Sequence, residues 1–243
     1  VRSRRQRQMC IRDRDNIEAH LLTHGWSKVE QRTYDEKLGL FPEEVIAFVK
    51  QTQPKAWTKL VRLHDGEETA RTKLLSRVAN EIDRLGTVSV LRNTVTDLGV
   101  QIRLCCFKPA SGLNDEQLTR YQANRLAIVR QLHHSESHPK DSVDVTLVTN
   151  GIPVATAELK NTLTGQSSSD AQDQYRNERN SADLIFARRT LVHFVVDPHH
   201  VAMTTRLEGP STRFLPFNQG SAGPGNPGTC LLYTSPSPRD ATL

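Results

Sequence analysis

Asp144, Glu158 and Lys160 have the types and the spacing to do metal-assisted chemistry on a phosphate. They fall in one stretch, Asp141 to Lys160, that reads DSVDVTLVTNGIPVATAELK. It predicts two strands, Val143 to Val148 and Val154 to Lys160, joined at Asn150-Gly151, a strong hairpin signal between apolar runs. Side chains alternate along a strand, so Val154, Thr156, Glu158 and Lys160 share one face and Ala155, Ala157 and Leu159 the other. A carboxylate and an ammonium therefore project together from a strand end. Asp144 is the only charged residue of the first run, and a charge in an apolar strand is costly unless it is paired or bound to a metal.

Register decides whether Asp144 meets Glu158. A plain two-residue loop at Asn150-Gly151 sets Asp144 opposite Ala157, pointing away from Glu158. An odd loop, or one bulge, brings Asp144 opposite or diagonal to Glu158 on the same face. Pro153 cannot donate a ladder hydrogen bond and disfavours tight pairing, which predicts the odd loop. Two converging carboxylates suit a hard, oxygen-seeking cation such as magnesium. A lysine beside them can orient an attacking water or stabilise charge developing on a phosphate. A lone E-x-K is most often a surface pair at a hairpin end; the aspartate upstream and the hairpin link are what point to hydrolysis of a phosphodiester.

Asp144 followed by Glu158-Leu159-Lys160 resembles the PD-(D/E)XK nuclease motif, and NGIPVATAELKN is similar to the nuclease region of the R subunit of type I restriction-modification enzymes. The likeness extends through LGTVSVLRN, KPASGLN and NRLAIVRQL upstream and through DAQDQYRNER to FLPFNQGS downstream. It implies an α/β fold with a restriction-endonuclease-like core, a central mixed sheet flanked by helices. It implies that Asp144 and Glu158 bind magnesium and that Lys160 is the catalytic lysine. The family's glutamine on the following helix, often in a Q-x-x-x-Y pattern, is matched by Gln174. Glu178 stands where that tyrosine would be, and Val143 replaces the proline of P-D. The implied activity is that of a type I site-specific deoxyribonuclease acting on double-stranded DNA with methylation and specificity subunits as partners. ATP would serve only a motor domain, and no G-x-x-x-x-G-K-[ST] loop occurs in these residues.

The elements that position these residues lie between two tails. Residues 1–14 and 230–243 resemble translated sequencing adapter and are set aside before fold reasoning. Without them Lys+Arg falls from 32 to 25 and Asp+Glu from 27 to 25, so the formal net charge of +5 becomes zero. Net charge then gives no argument for nucleic acid. Residues 15–208 read as the nuclease domain and residues 209–229 as a Pro/Gly-rich linker toward a motor. The two remaining cysteines, Cys105 and Cys106, are neighbours that point apart on a strand and read as small apolar residues, which fits a cytoplasmic protein. No run is long enough to span a membrane.

Helices are expected over residues 15–26, from Pro42 to Thr52, from Glu68 to Leu85, from Asp115 to Leu132 and from Ala171 to Arg179, the last capped by Ser169 or Asp170. Further strands are expected from Thr87 to Arg92, Gly99 to Phe107, Leu191 to Val196 and, at an edge, Val201 to Thr205. Glu18 on the opening helix is a candidate acidic neighbour of the metal, more simply read as a solvated glutamate. Arg120, Arg125 and Arg130 form a possible cationic edge toward the DNA backbone, more simply a solvated helix face. His133, His134, His138, His199 and His200 fall in polar loops without an arguable ligand set. The rival from another class is a non-catalytic module that docks the motor subunit; a repair nuclease of the same superfamily would share the triad but not the longer strings.

Overall fold

The computed structural model describes residues 15–110, 114–160 and 167–217. Residues 15–23 form helix α1. The chain continues through β1 (Ser27–Lys28), α2 (Pro42–Thr52), α3 (Pro54–Leu63), α4 (Glu67–Leu85) and α5 (Thr87–Arg92) to the hairpin β2 (Thr94–Asp97) and β3 (Val100–Arg103). Then come α6 (Asp115–Gln122), β4 (Leu126–His133), β5 (Ser142–Thr149), β6 (Ile152–Leu159) and α7 (Ser168–Asp173). Two π-helical turns, Gln174–Glu178 and Ile185–Arg189, lead to β7 (Val192–Val196), β8 (Val201–Thr204) and β9 (Leu215–Pro216).

A seven-stranded sheet runs in the order β1-β4-β5-β6-β7-β8-β9. It is mixed: β1 with β4 and β6 with β7 are parallel, the other pairs antiparallel. One face carries Ile128, Val145 and Leu159 against Ile17 and Leu21 of α1. The other carries Val148 and Val195 beneath Ala171, Tyr175, Ile185 and Phe186. Helices α2 to α5 and the β2–β3 hairpin enclose a separate apolar cluster that reaches the sheet through Ile152. Among the described residues no helix is long and apolar enough to cross a membrane.

The hairpin turn joins that helical cluster to the sheet. Asn150 (φ 51) and Gly151 (φ 83) are both left-handed, as a two-residue turn that matches strand twist requires. Asn150 is fully buried; its amide donates to the Leu104 carbonyl at 2.9 Å and its Oδ1 accepts from the Arg125 N–H at 2.7 Å. The Gly151 carbonyl accepts from the Phe41 N–H at 2.8 Å, at the start of α2. A Cβ on Gly151 would lie 2.6 Å from the Phe41 carbonyl oxygen, so no side chain fits.

The odd loop is corrected here. Thr149 pairs with Ile152, which leaves a two-residue turn, and the register then shifts at Leu147/Val148 because Val154 is an extra residue between Pro153 and Ala155. Pro153 thus sits beside a bulge, where its missing N–H does least harm. Thr87–Arg92 is a helix and not a strand: Thr87, Val90 and Leu91 are its buried residues, a helical spacing that outweighs the β-branched composition. The helix from Asp115 ends at Gln122, and Leu126–His133 is a central strand whose Ala127, Ile128 and Val129 are all buried. Leu118, Tyr121, Leu126 and Val129 had imitated a helical stripe across that boundary. Gly99 to Phe107 narrows to Val100–Arg103, and α3 had no counterpart in the expectation.

The cap of α7 is Ser167, with Asp170 returning to bond its N–H at 2.7 Å, so Ser169 and Asp170 are not the cap. The helix expected through Arg179 turns π-helical at Gln174. β8 is followed by the short β9 and is not the outermost strand. Thr212 is buried and its carbonyl accepts from Arg176 Nε at 3.1 Å, so the chain stays packed past Glu208. Both tails, and residues 218–229 of the linker, lie outside the described residues.

Candidate active site

The β5–β6 ladder ends at the pair Val145–Ala157, and one step further in the same register sets Asp144 opposite Glu158. The bulge at Val154 therefore brings both carboxylates to one face, as the motif requires. Asp144 Oδ2 accepts the Leu159 N–H at 3.0 Å, and Oδ1 accepts from Gln131 Nε2 at 2.7 Å. Gln131 has φ 50, a strained backbone for a residue with a side chain, and it lies inside β4 between the pairs Arg130–Val145 and Leu132–Val143. That local kink aims its amide at Asp144.

Glu158 is 1% exposed. Its Oε1 accepts two N–H bonds from Arg179, 2.7 Å from Nη2 and 3.0 Å from Nε. Burial, and then the Asp144 charge beside it, push its carboxyl up to about 8, while Arg179 and Lys160 pull it back toward the ionised form. Lys160 follows β6 directly; its N–H bonds the Val196 carbonyl at 2.8 Å, and its buried Nζ donates to Gln174 Oε1. The structure thus brings all four expected residues together.

The π-helical turn explains how Gln174 and Arg179 both reach the sheet. In an α-helix two residues five apart point about 140° away from each other. Here the Arg179 N–H bonds the Gln174 carbonyl at 3.0 Å, an i to i+5 closure that returns the chain to nearly the same side. Gln174 then meets Lys160 and Arg179 meets Glu158. The same turn buries Tyr175 behind the pair: its hydroxyl lies 2.9 Å from Thr156 Oγ1, which is 2.7 Å from His193 Nδ1. Glu178, at the family's tyrosine position, is exposed.

Sequence reasoning missed Arg179 and Gln131. A buried acidic pair needs a counter-charge, so a basic residue one turn beyond Gln174 was a readable signal. Gln131 had none, because its strand was read as helix. The solvated reading of Glu18 is corrected: it is buried and ion-paired to Lys28 at 2.8 Å and Arg130 at 3.0 Å, which lower its pKa against the effect of burial. The arginine edge dissolves likewise: Arg120 pairs with Glu116 at 2.6 Å, Arg125 with Glu44 at 2.7 Å and Arg130 with Asp15 at 2.6 Å. Of the histidines, His134 lies 3.2 Å from Asp183 and His200 3.4 Å from Asp197, while His138 bonds Ser137.

Residues 14–212 match the family described as type I restriction enzyme R protein N terminus. The chain belongs to that family. Among curated proteins none matches it. The R-protein N-terminal region seen here has the α/β architecture the resemblance implied, a mixed central sheet between helical layers. The donor set fits a magnesium ion: Asp144 and Glu158 offer only oxygen, face each other, and Glu158 keeps Oε2 outside its bonds to Arg179.

Proposed function

We propose that this region is the nuclease domain of a type I restriction R subunit, hydrolysing DNA phosphodiester bonds with magnesium. The observation that carries the reading is the Asp144–Glu158 pair opposed across a bulged hairpin with Lys160 on the same wall. Asp144 and Glu158 would hold the ion. Bound there, magnesium would supply Lewis-acid polarisation of the scissile phosphate and a more acidic coordinated water.

The protein's own groups do the rest. The Leu159 N–H and Gln131 fix the orientation of Asp144. Lys160 carries its charge at the end of β6, where it can stabilise the negative charge gathering on the phosphate or orient the attacking water. Gln174 steers that ammonium by accepting a hydrogen bond from it at Oε1. The proposed substrate is unmodified double-stranded DNA, cut in a complex with methylation and specificity subunits and driven by an ATP-dependent motor.

The test is nicking of supercoiled plasmid by the R subunit with its partners, ATP and magnesium. Glu158→Gln is preferred to Glu158→Ala, which would leave the buried Arg179 guanidinium without a partner, at a cost of about 3 to 5 kcal/mol. Loss of nicking in Asp144→Asn, Glu158→Gln and Lys160→Met, with ATP hydrolysis retained, is expected. Undiminished nicking by Glu158→Gln would move the nuclease elsewhere and favour a docking role.

A further inference from the structure

Arg179 is bound to more than Glu158. Its Nη2 also donates to the Ser142 carbonyl at 2.7 Å. Ser142 opens β5, the strand of Asp144, and Glu158 is the last residue but one of β6. One guanidinium therefore ties together the two strand ends that carry the carboxylates, and its own side chain is only 7% exposed. Both of its bonds to Glu158 fall on Oε1, which leaves Oε2 for a further ligand.

Resting on the nuclease reading, we propose that Arg179 is the positioning residue of the metal site, holding Glu158 by one oxygen and fixing the spacing of the Asp144–Glu158 pair for a divalent cation. Several features support a role in the site over simple packing. A buried ion pair gains little over apolar residues of the same shape. A lone Glu–Arg pair would be complete in itself, but here Asp144 adds a second carboxylate and Lys160 a second cation, a cluster of four charged groups that a simple tie between strands does not need. The side chain that steers Lys160 and the one that steers Glu158 come from the two ends of one π-helical turn, and such turns gather at functional sites.

The experiment compares wild type, Arg179→Met, Arg179→Lys and Glu158→Gln in the full R subunit. Manganese binding is titrated by electron paramagnetic resonance without DNA or nucleotide, the Glu158→Gln curve marking metal bound elsewhere in the subunit. Nicking by the assembled complex is followed against magnesium concentration. Outer partners of metal ligands are worth on the order of 10 to 100-fold in affinity. Arg179→Met is expected to weaken this site's manganese binding and raise the half-saturating magnesium by such a factor, with the rate at saturating magnesium falling far less. Arg179→Lys, which keeps the charge but loses the fork, is expected to fall between.

Unchanged metal affinity in Arg179→Met, alongside a dead Glu158→Gln, would overturn the positioning role and leave the nuclease reading standing. Undiminished nicking by Glu158→Gln would overturn both. Should Arg179→Met melt early or stop translocating, the lysine variant decides: wild-type manganese affinity there refutes the fork geometry, and a weakened one supports it.

Discussion

Two arginines close the π-helical turns of the described chain, Arg179 just beyond Gln174–Glu178 and Arg189 at the end of Ile185–Arg189. Both side chains are buried, Arg189 to 1% and Arg179 to 7% exposure, and both bond a carboxylate and a main-chain carbonyl. Arg189 Nη1 meets Asp83 of α4 at 2.5 Å and its Nε meets the Leu38 carbonyl at 2.9 Å. Asp83, however, is 44% exposed along its side chain, whereas Glu158 is 1% exposed and faces a second carboxylate. A half-wet partner keeps part of its hydration, so the Arg189 pair is a tie between the helical layer and the sheet. A dry, doubly acidic partner is an arrangement that a fold gains nothing from by itself. The same local device serves architecture in one place and the site in the other.

The sharpest way to break this comparison is Arg189→Met. It should cost about 3 to 4 kcal/mol in denaturant unfolding, for the Leu38 carbonyl left without its donor and the charged bond to Asp83 lost, and leave the magnesium dependence of nicking where it was. A magnesium shift equal to that of Arg179→Met would show that the two turns do not divide the work. Next in size, Gly151→Ala tests the other tie between the layers. Its Cβ would meet Val45 N and the Phe41 carbonyl, both at 2.6 Å, in a left-handed conformation. A loss of about 3 kcal/mol is expected from overpacking and backbone strain together, and a neutral result would mean that the turn does not press on α2.

Asp83→Ala sharpens the contrast between wet and dry partners. Asp83→Ala leaves the buried Arg189 guanidinium without its carboxylate, but water can enter where the half-exposed side chain stood, so the loss should be about 2 kcal/mol, less than for Glu158→Ala at the dry Arg179 pair. Equal losses would make Asp83 as desolvated as Glu158.

The smallest expected effect is on pH dependence. Burial lowers His193 to about 4, and also His134, where the Asp183 charge works against the shift. Above about pH 6.5 these imidazoles are neutral in the folded and unfolded chain alike, and their contribution to stability is complete. As pH falls toward 4 the unfolded chain takes protons that the folded one refuses, and stability is lost. Glu158 acts in the opposite sense, because burial and the Asp144 charge raise its pKa. The difference between wild type and His193→Gln isolates the histidine, and it should reach on the order of 1 kcal/mol by pH 6.

The candidate site was more legible than the fold that supports it. Asp144, Glu158 and Lys160 could be read because strand alternation is a local rule and the apolar run made the one aspartate conspicuous. The bulge was legible only as a choice between two devices: Pro153 signalled that the pairing would be irregular, but an irregularity can be taken up in the loop or in the ladder. Leu126–His133 was missed because a strand buried on both faces has no period to distinguish it from a helix stripe. Thr87–Arg92 was misread in the other direction, its valines suggesting a strand where packing against α4 made a helix. With β4 misassigned, Gln131 had no place near Asp144.

By itself, then, the sequence determined the types and spacing of the triad, the turn at Asn150-Gly151, the amphipathic helix Pro42–Thr52 and the family resemblance that residues 14–212 bear out. These are matters of neighbouring residues, governed by backbone preferences and side-chain periodicity. The tertiary structure alone decided that Val154 bulges, that Gln131 turns to Asp144 and that a π-helical turn delivers Gln174 and Arg179 to the same wall. Each of those depends on which distant groups must be satisfied once they are buried together, and burial is a property of the folded chain rather than of any short stretch of it.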